Sequence, residues 1–340
     1  MNQLAVPVAL PGLLAALEHA LAPGGASSLD PRVPAAVWRR ALAGPAAEFL
    51  ARPGKELRTT IVRAGWLLGG GAPGGMHERL PLVIELLHAG SLIVDDVEDG
   101  STERRGAPAL HELVGVPLAI NTGSWMYFWA LAELAELGLP PAVELAAQRS
   151  AVSTLVRCHQ GQALDLAVRI ADLDVTDVAA VVAATTRLKT GALCRFAAEL
   201  GAIAADATSE RRTAIARFGE AMGSGLQMLD DLGSLTSPAR RAKGLEDLHG
   251  GRPTWPWAWL AEHRPFAWAR LAAMERAVAA GTGDPVAVIE ALVDEVGALG
   301  RGIIRTTLDD ALAELVREVG HSPITERIGD ELARMEQSYG

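Results

Sequence analysis

Apolar residues recur along this chain at i, i+3, i+4 and i+7, the spacing that lines one face of an α-helix. The pattern predicts helices over residues 35–51, 57–69, 77–97, 117–137 and 141–169. It predicts five more over 175–205, 208–235, 255–281, 285–318 and 323–338. Alternation of apolar and polar residues is rare, so strands are not expected. Turn residues separate the helices at Gly69-Gly70-Gly71, Pro73-Gly74-Gly75, Pro140-Pro141 and Gly281-Thr282-Gly283-Asp284. Asp284 before Pro285 reads as an N-cap with proline at the first helical position. Thr208 reads as a cap without a capping box, because Arg211 rather than an acid stands three residues on. Two charged stretches, 100–107 and 236–254, resist the helical pattern and read as loops. With no repeat period and no Ser/Gly linker, the expectation is one all-α domain over residues 1–340. Residues 1–34 are expected as a peripheral N-terminal segment.

Composition supports a packed helical protein and removes several classes of function. Of 340 residues, 49% are hydrophobic and 21% charged, enough apolar material for a large core. The net charge of −10 argues against a nucleic-acid partner, whose affinity rests on neutralising phosphates with Lys and Arg. Two cysteines, Cys158 and Cys194, exclude a disulfide framework and suggest the reducing cytoplasm. The first residues lack a basic region and carry Pro7 and Pro11, a poor fit to a signal peptide. No uncharged apolar run is long enough to span a bilayer.

The chemistry concentrates in residues 84–106, IELLHAGSLIVDDVEDGSTERRG. An apolar helix there ends in Asp95, Asp96, Glu98 and Asp99 and is followed at once by Arg104 and Arg105. Asp95 and Asp99 lie one turn apart on one face, where two carboxylates repel unless a cation sits between them. Hard oxygen ligands with room for water and phosphate suit Mg2+. Acid at a helix C-terminus also opposes the macrodipole, so the cluster calls for a cation. A second acidic pair, Asp230 and Asp231, ends the run GLQMLDDLGS. Two acidic pairs at helix ends, each followed by a basic loop, suggest helices that hold metals on a polyphosphate.

From about Gly54 to Pro256 the sequence resembles the trans-isoprenyl diphosphate synthases, or polyprenyl synthetases. Asp95-Asp96-Val97-Glu98-Asp99 with Arg104-Arg105-Gly106 resembles their first aspartate-rich motif and its trailing arginines. Gly54-Lys55-Glu56-Leu57-Arg58 is similar to the family's GKxxR element, and His88 falls where a diphosphate-contacting His or Gln stands. Gly161-Gln162 with Asp165 resembles GQxxD, Lys189-Thr190-Gly191 resembles KTG, and Gln227 with Asp230-Asp231 resembles QxxDD. Lys243, Asp247-Leu248 and Gly251-Arg252-Pro253-Thr254 resemble the lid segment, with Arg252 in place of a second Lys. Departures are Ser234 in place of the second motif's third acid, Ser124 in place of Asp after Gly123, and Pro53 and Thr59 around GKxxR.

The resemblance implies an isoprenoid-synthase-type helical barrel around a deep cavity, usually a homodimer. It implies condensation of an allylic diphosphate with isopentenyl diphosphate, head to tail, to a short-chain product such as geranylgeranyl or farnesyl diphosphate. Asp95, Asp99 and Asp230 would hold up to three Mg2+ ions. Arg104, Lys189, Lys243 and Arg252 would meet the departing diphosphate, while Lys55, Arg58, His88 and Arg105 anchor isopentenyl diphosphate. Thr190 and Gln227 would turn oxygen dipoles toward the allylic cation. Gly90 and Ser91, just before the first motif, are small and set no floor for the growing chain, so Trp125 and Trp129 become candidates for product length. Two alternatives stay open: a class I terpene cyclase on the same scaffold, and a non-catalytic subunit of a heteromeric synthase.

Overall fold

The computed structural model describes residues 10–54 and 57–339. Lys55, singled out above, lies outside the described residues. The chain begins with helices α1 (Leu10–Leu21), α2 (Ala35–Trp38), α3 (Gly44–Leu50), α4 (Leu57–Leu68) and α5 (Leu80–Asp99). A short hairpin of β1 (Glu103–Arg104) and β2 (Ala107–Pro108) follows, then α6 (Leu110–Val114), α7 (Val116–Ala135) and α8 (Pro141–Ala167). The remaining helices are α9 (Val175–Thr186), α10 (Ala192–Ala204), α11 (Ser209–Thr236), α12 (Arg241–His249) and α13 (Trp255–His263). Helices α14 (Pro265–Ala279), α15 (Pro285–Val319) and α16 (Pro323–Tyr339) complete the chain. The all-α expectation holds, with that hairpin the only strand pair among the described residues.

Three predicted helices are interrupted, each for a local reason. The 35–51 and 175–205 runs pass through π-helical turns at Arg39–Ala43 and Arg187–Gly191, which periodicity alone does not distinguish from α. The 255–281 run breaks at Arg264–Pro265, since proline inside a helix removes a backbone donor and clashes with the preceding turn. The 236–254 stretch, expected as a loop, contains α12. The 100–107 stretch folds into the hairpin, with Arg104 paired to Ala107. Asp284 caps α15 as expected, accepting from the Val286 N–H at 2.9 Å. Thr208 accepts from the Arg211 N–H at 3.4 Å, a long cap contact.

Two compact units partition the chain. The first comprises residues up to Ser153 together with Phe196–Ile215, and the second Thr154–Arg195 with residues from Ala216 onward. In the first unit α5 packs along α7, and Leu82, Ile84, Leu86 and Ile93 of α5 and Met126 and Trp129 of α7 are all buried. The helices close at Gly90 and Gly123: a Cβ on Gly90 would stand 2.6 Å from the Gly123 carbonyl oxygen, and one on Gly123 2.9 Å from that of Gly90. Gly90 is therefore small because α7 touches it, and it does not face open space. The N-terminal segment belongs to this unit, with Leu17 and Ala20 buried and Ser27 bonded to Trp125.

Helices α4 and α10 meet even more closely. A Cβ on Gly201 would lie 2.0 Å from the Val62 carbonyl oxygen. Backbone cannot yield as a flexible side chain does, so Gly201→Ala is expected to destabilise the protein by about 1–3 kcal/mol, read from the denaturation midpoint. In the second unit α13 packs on α9 and α15, with Trp259 buried against Gly300.

Candidate active site

The first unit builds an acidic helix end and a cationic cluster from neighbouring stretches of chain. Helix α5 carries Asp95, Asp96 and Asp99 in its last turns and stops at Gly100, whose φ of 66° suits glycine. Asp95 and Asp99 are half-buried, whereas Asp96 is fully buried and Glu98 exposed. Arg104 bonds Asp96 through Nε at 2.7 Å and stands 3.8 Å from Asp95. Arg104 is thus engaged with the motif's own carboxylates, and the burial of Asp96 makes it a structural anchor.

The next residue, Arg105, belongs to the cationic cluster with Arg58 and His88. Burial first, and then repulsion from Arg58, Arg104 and Arg52, lowers the Arg105 pKa, with Glu85 opposing. The same logic holds the His88 imidazole neutral, its pKa pushed well below the ordinary range by burial and by Arg58, Arg105 and Arg104. Arg58 Nε is buried without a hydrogen-bond partner. Cations brought together at this cost suit a multiply charged anion. Thr59 lends its hydroxyl to Glu85 at 3.0 Å, tying α4 to α5 beneath the cluster.

The second unit places KTG in the π-helical turn Arg187–Gly191, a distortion frequent at functional sites. Gly161 lets α8 approach it, since a Cβ there would stand 2.8 Å from the Lys189 nitrogen. Lys189 Nζ then bonds Asp165 at 2.7 Å. The Thr190 hydroxyl donates to Gln227 Oε1 at 2.8 Å, and Gln227 Nε2 donates to Asp231 at 2.8 Å. The backbone N–H of Trp255 donates to the other Asp231 oxygen at 3.0 Å, and its indole N–H reaches Thr186 at 3.0 Å. Burial raises the Asp231 pKa to about 6 against these donors and Lys243.

The two acidic motifs differ in their fit to a metal. Asp95 and Asp99 offer half-buried oxygen donors one turn apart, suited to an ion that keeps water or phosphate in its other positions. Among the described residues no group of three or more acidic, His or Cys side chains is placed to enclose a metal. The resemblance also implies a metal at Asp230. Here, however, Asp230 accepts from Arg240 at 3.0 Å and from Lys243, one cation on each oxygen. Ser234, where an acid was expected, is buried and gives its hydroxyl to the Asp231 carbonyl at 2.7 Å. A third ion at Asp230 requires Arg240 and Lys243 to move. Arg252 lies 3.9 Å from Asp247, whose pKa burial raises to about 7.

Trp125 and Trp129 stack with centroids 5.0 Å apart, and the Trp125 indole donates to Ser27 at 2.9 Å. Ser91 turns its hydroxyl onto the His88 carbonyl. Phe49, Arg52, Arg240 and Trp255 were not singled out by sequence, because each acts through a contact that no helical spacing encodes.

These features define an all-α protein with a cluster of basic side chains in the same unit as a helix end whose carboxylates suit a divalent metal. The chain belongs to the polyprenyl synthetase family, whose sequence model matches residues 39–279. It is 32% identical over 212 residues to a geranylgeranyl pyrophosphate synthase of Penicillium janthinellum, covering 61% of this chain and 54% of that protein. It is 33% identical over 219 residues to geranylgeranyl pyrophosphate synthase 2 of Zymoseptoria tritici, covering 63% of each. The match thus spans less than two thirds of these curated relatives. The fold resembles a solved geranylgeranyl pyrophosphate synthase at a TM-score of 0.79 and 19% identity, covering 99% of both chains. It also resembles the enzyme of Lactobacillus brevis at 0.74 and 22%, covering 96% of both.

Proposed function

We propose that this chain is a prenyltransferase that condenses an allylic diphosphate with isopentenyl diphosphate, head to tail, to a short-chain product of the geranylgeranyl type. The observation that carries the reading is that one unit holds both an Asp95/Asp99 metal-ligand pair and a separate cationic cluster of Arg58, His88 and Arg105. One diphosphate calls for the first, and a second diphosphate for the other. Family membership and the geranylgeranyl pyrophosphate synthases among its relatives support the same reaction.

In this reading Asp95 and Asp99 would hold Mg2+, which when bound would supply positive charge toward a departing diphosphate. Lys189, Lys243 and Arg252 add fixed charge, with Asp165 orienting Lys189 and Asp247 facing Arg252. Arg58, Arg105 and neutral His88, with Lys55, fix the isopentenyl diphosphate so that its double bond faces the allylic carbon. Such positioning can remove several kcal/mol from a barrier. Thr190 and Gln227, locked to Asp231, turn oxygen dipoles toward the developing cation. The allylic C–O bond breaks, the new C–C bond forms, and the proton lost from the isopentenyl carbon goes to the released diphosphate.

A terpene cyclase has no use for the separate cationic cluster, and the paired carboxylates argue against a non-catalytic subunit. Incubating the protein with Mg2+ and an allylic diphosphate, with and without isopentenyl diphosphate, tests all three. Elongated diphosphates that require both substrates support the proposal, whereas cyclic hydrocarbons from one substrate or no turnover would overturn it.

We propose a homodimer, supported by exposed Val116, Ile120 and Phe128 along one face of α7, with Phe128 69% exposed. Among the described residues no helix is long and apolar enough to cross a membrane. A cytoplasmic location is part of the same proposal, on the low cysteine count of the sequence.

For product length the reading keeps the Trp125–Trp129 stack as the floor, with Ser27 holding the first indole. Trp125→Ala removes a large side chain, opening space that lipid can fill. Products longer than the wild type's are expected, seen by chromatography after dephosphorylation. Unchanged length in Trp125→Ala, Trp129→Ala and the double variant, with activity retained, sinks the idea.

A further inference from the structure

Arg105 is the least comfortably placed residue of the cationic cluster. It sits at the tip of the β1–β2 hairpin with φ of 56°, and Gly106 follows with φ of 74°. Two left-handed residues between paired Arg104 and Ala107 match the type I′ turn, which favours Asn-Gly or Gly-Gly over an arginine. Something outside the hairpin must keep this turn and aim its side chain.

Arg52 meets that need. It is 6% exposed, and its guanidinium donates to the carbonyl of Arg104 at 3.2 Å and to that of Pro108 at 2.8 Å. Those carbonyls lie just before Arg105 and three residues after it, so Arg52 bridges the two strands of the turn. Glu48 fixes Arg52 from one helical turn away at 2.8 Å. The side chain of Arg105 is held separately. Its guanidinium carbon lies 5.6 Å from the Phe49 ring centroid, and that of Arg52 lies 5.3 Å from the same ring. Phe49 is fully buried, so its ring is a fixed surface that attracts cations. Gly54 borders the guanidinium, and a Cβ there would sit in ordinary contact with its nitrogens at 3.6 Å.

We propose that Arg52 and Phe49 are positioning residues for the isopentenyl diphosphate site, Arg52 by holding the hairpin carbonyls and Phe49 by seating the Arg105 guanidinium. The proposal rests on the reading of Arg58, His88 and Arg105 as that site. Neither residue touches the substrate, so their loss weakens anchoring of one diphosphate and spares the other.

The test measures isopentenyl diphosphate binding to the full chain by titration calorimetry, alongside steady-state kinetics with both substrates. Arg52→Met and Phe49→Leu are expected to weaken isopentenyl diphosphate binding and raise its KM by about 10–100-fold, the penalty of a misplaced anchor. The KM for the allylic diphosphate and kcat should stay within about twofold. Arg52→Lys, which keeps the charge but cannot bridge both carbonyls, should fall between wild type and Arg52→Met. If Arg52→Met fails to fold by circular dichroism, Arg52→Lys and Phe49→Leu decide the matter. Wild-type binding in both of those, with binding lost in Arg105→Ala, overturns the positioning role. Equal loss for both substrates also overturns it. If the wild-type protein binds no isopentenyl diphosphate and Arg105→Ala changes nothing, the assignment of the site itself falls, and the proposal with it.

Discussion

Asp95→Ala lowers turnover by a factor of about 10²–10³ or more while the protein stays folded. Removing one preorganised charged contact to a developing charge commonly costs that much, and Asp95 is one of only two carboxylates in its motif suited to a metal. Stability should survive for a specific reason. Asp95 is half-buried and stands 3.8 Å from Arg104, whose tight bond is to Asp96. Losing Asp95 therefore leaves Arg104 paired and removes an acid from a helix end where the dipole disfavours it. Asp96→Ala should behave differently, since it strands Arg104 beside a buried gap and lowers the melting temperature. Steady-state rates and thermal melts of both variants check the contrast. Full activity in Asp95→Ala would remove the metal-ligand role proposed for it.

Arg79→Met is expected to destabilise the fold by about 3–5 kcal/mol, the usual cost of leaving one partner of a buried ion pair alone. Glu133 on α7 is fully buried and pairs with Arg79, the residue that precedes α5. A polar group buried in that apolar packing without a partner carries an uncompensated desolvation cost. Replacing both partners should cost far less, because Arg79→Met with Glu133→Leu leaves no orphaned charge and is often neutral or stabilising. Urea unfolding of the single and double variants measures the difference. If the double variant is no more stable than Arg79→Met, the buried charge is not the cause.

The aspartate at the end of α11 is the point where motif and geometry part. By its place in the motif Asp230 is a metal ligand, yet its oxygens hold Arg240 and Lys243. A motif records which residue types stand at which spacing. It does not record that a basic stretch ten to thirteen residues later folds back as a short helical segment and delivers its cations to the acid. Periodicity likewise read 236–254 as loop because α12 is short and rich in charge, so its buried face, Gly244 and Leu248, is too small to register.

What the sequence determined by itself were local properties: the helices α5, α7, α8, α11, α15 and α16, the Asp284 cap, and the adjacent acids and arginines of the first motif. These depend on neighbours within a few residues, where helical geometry makes spacing equivalent to direction. Tertiary structure decided which partners those residues meet. Lys189 finds Asp165, Thr190 finds Gln227, and Gly90 is small because Gly123 lies against it. Phe49 and Arg52 matter only because the chain returns more than fifty residues later to lay Arg105 on the ring and two carbonyls on the guanidinium. Hydrogen bonds and ring contacts act over a few ångströms through space, whereas a sequence orders residues only along the chain.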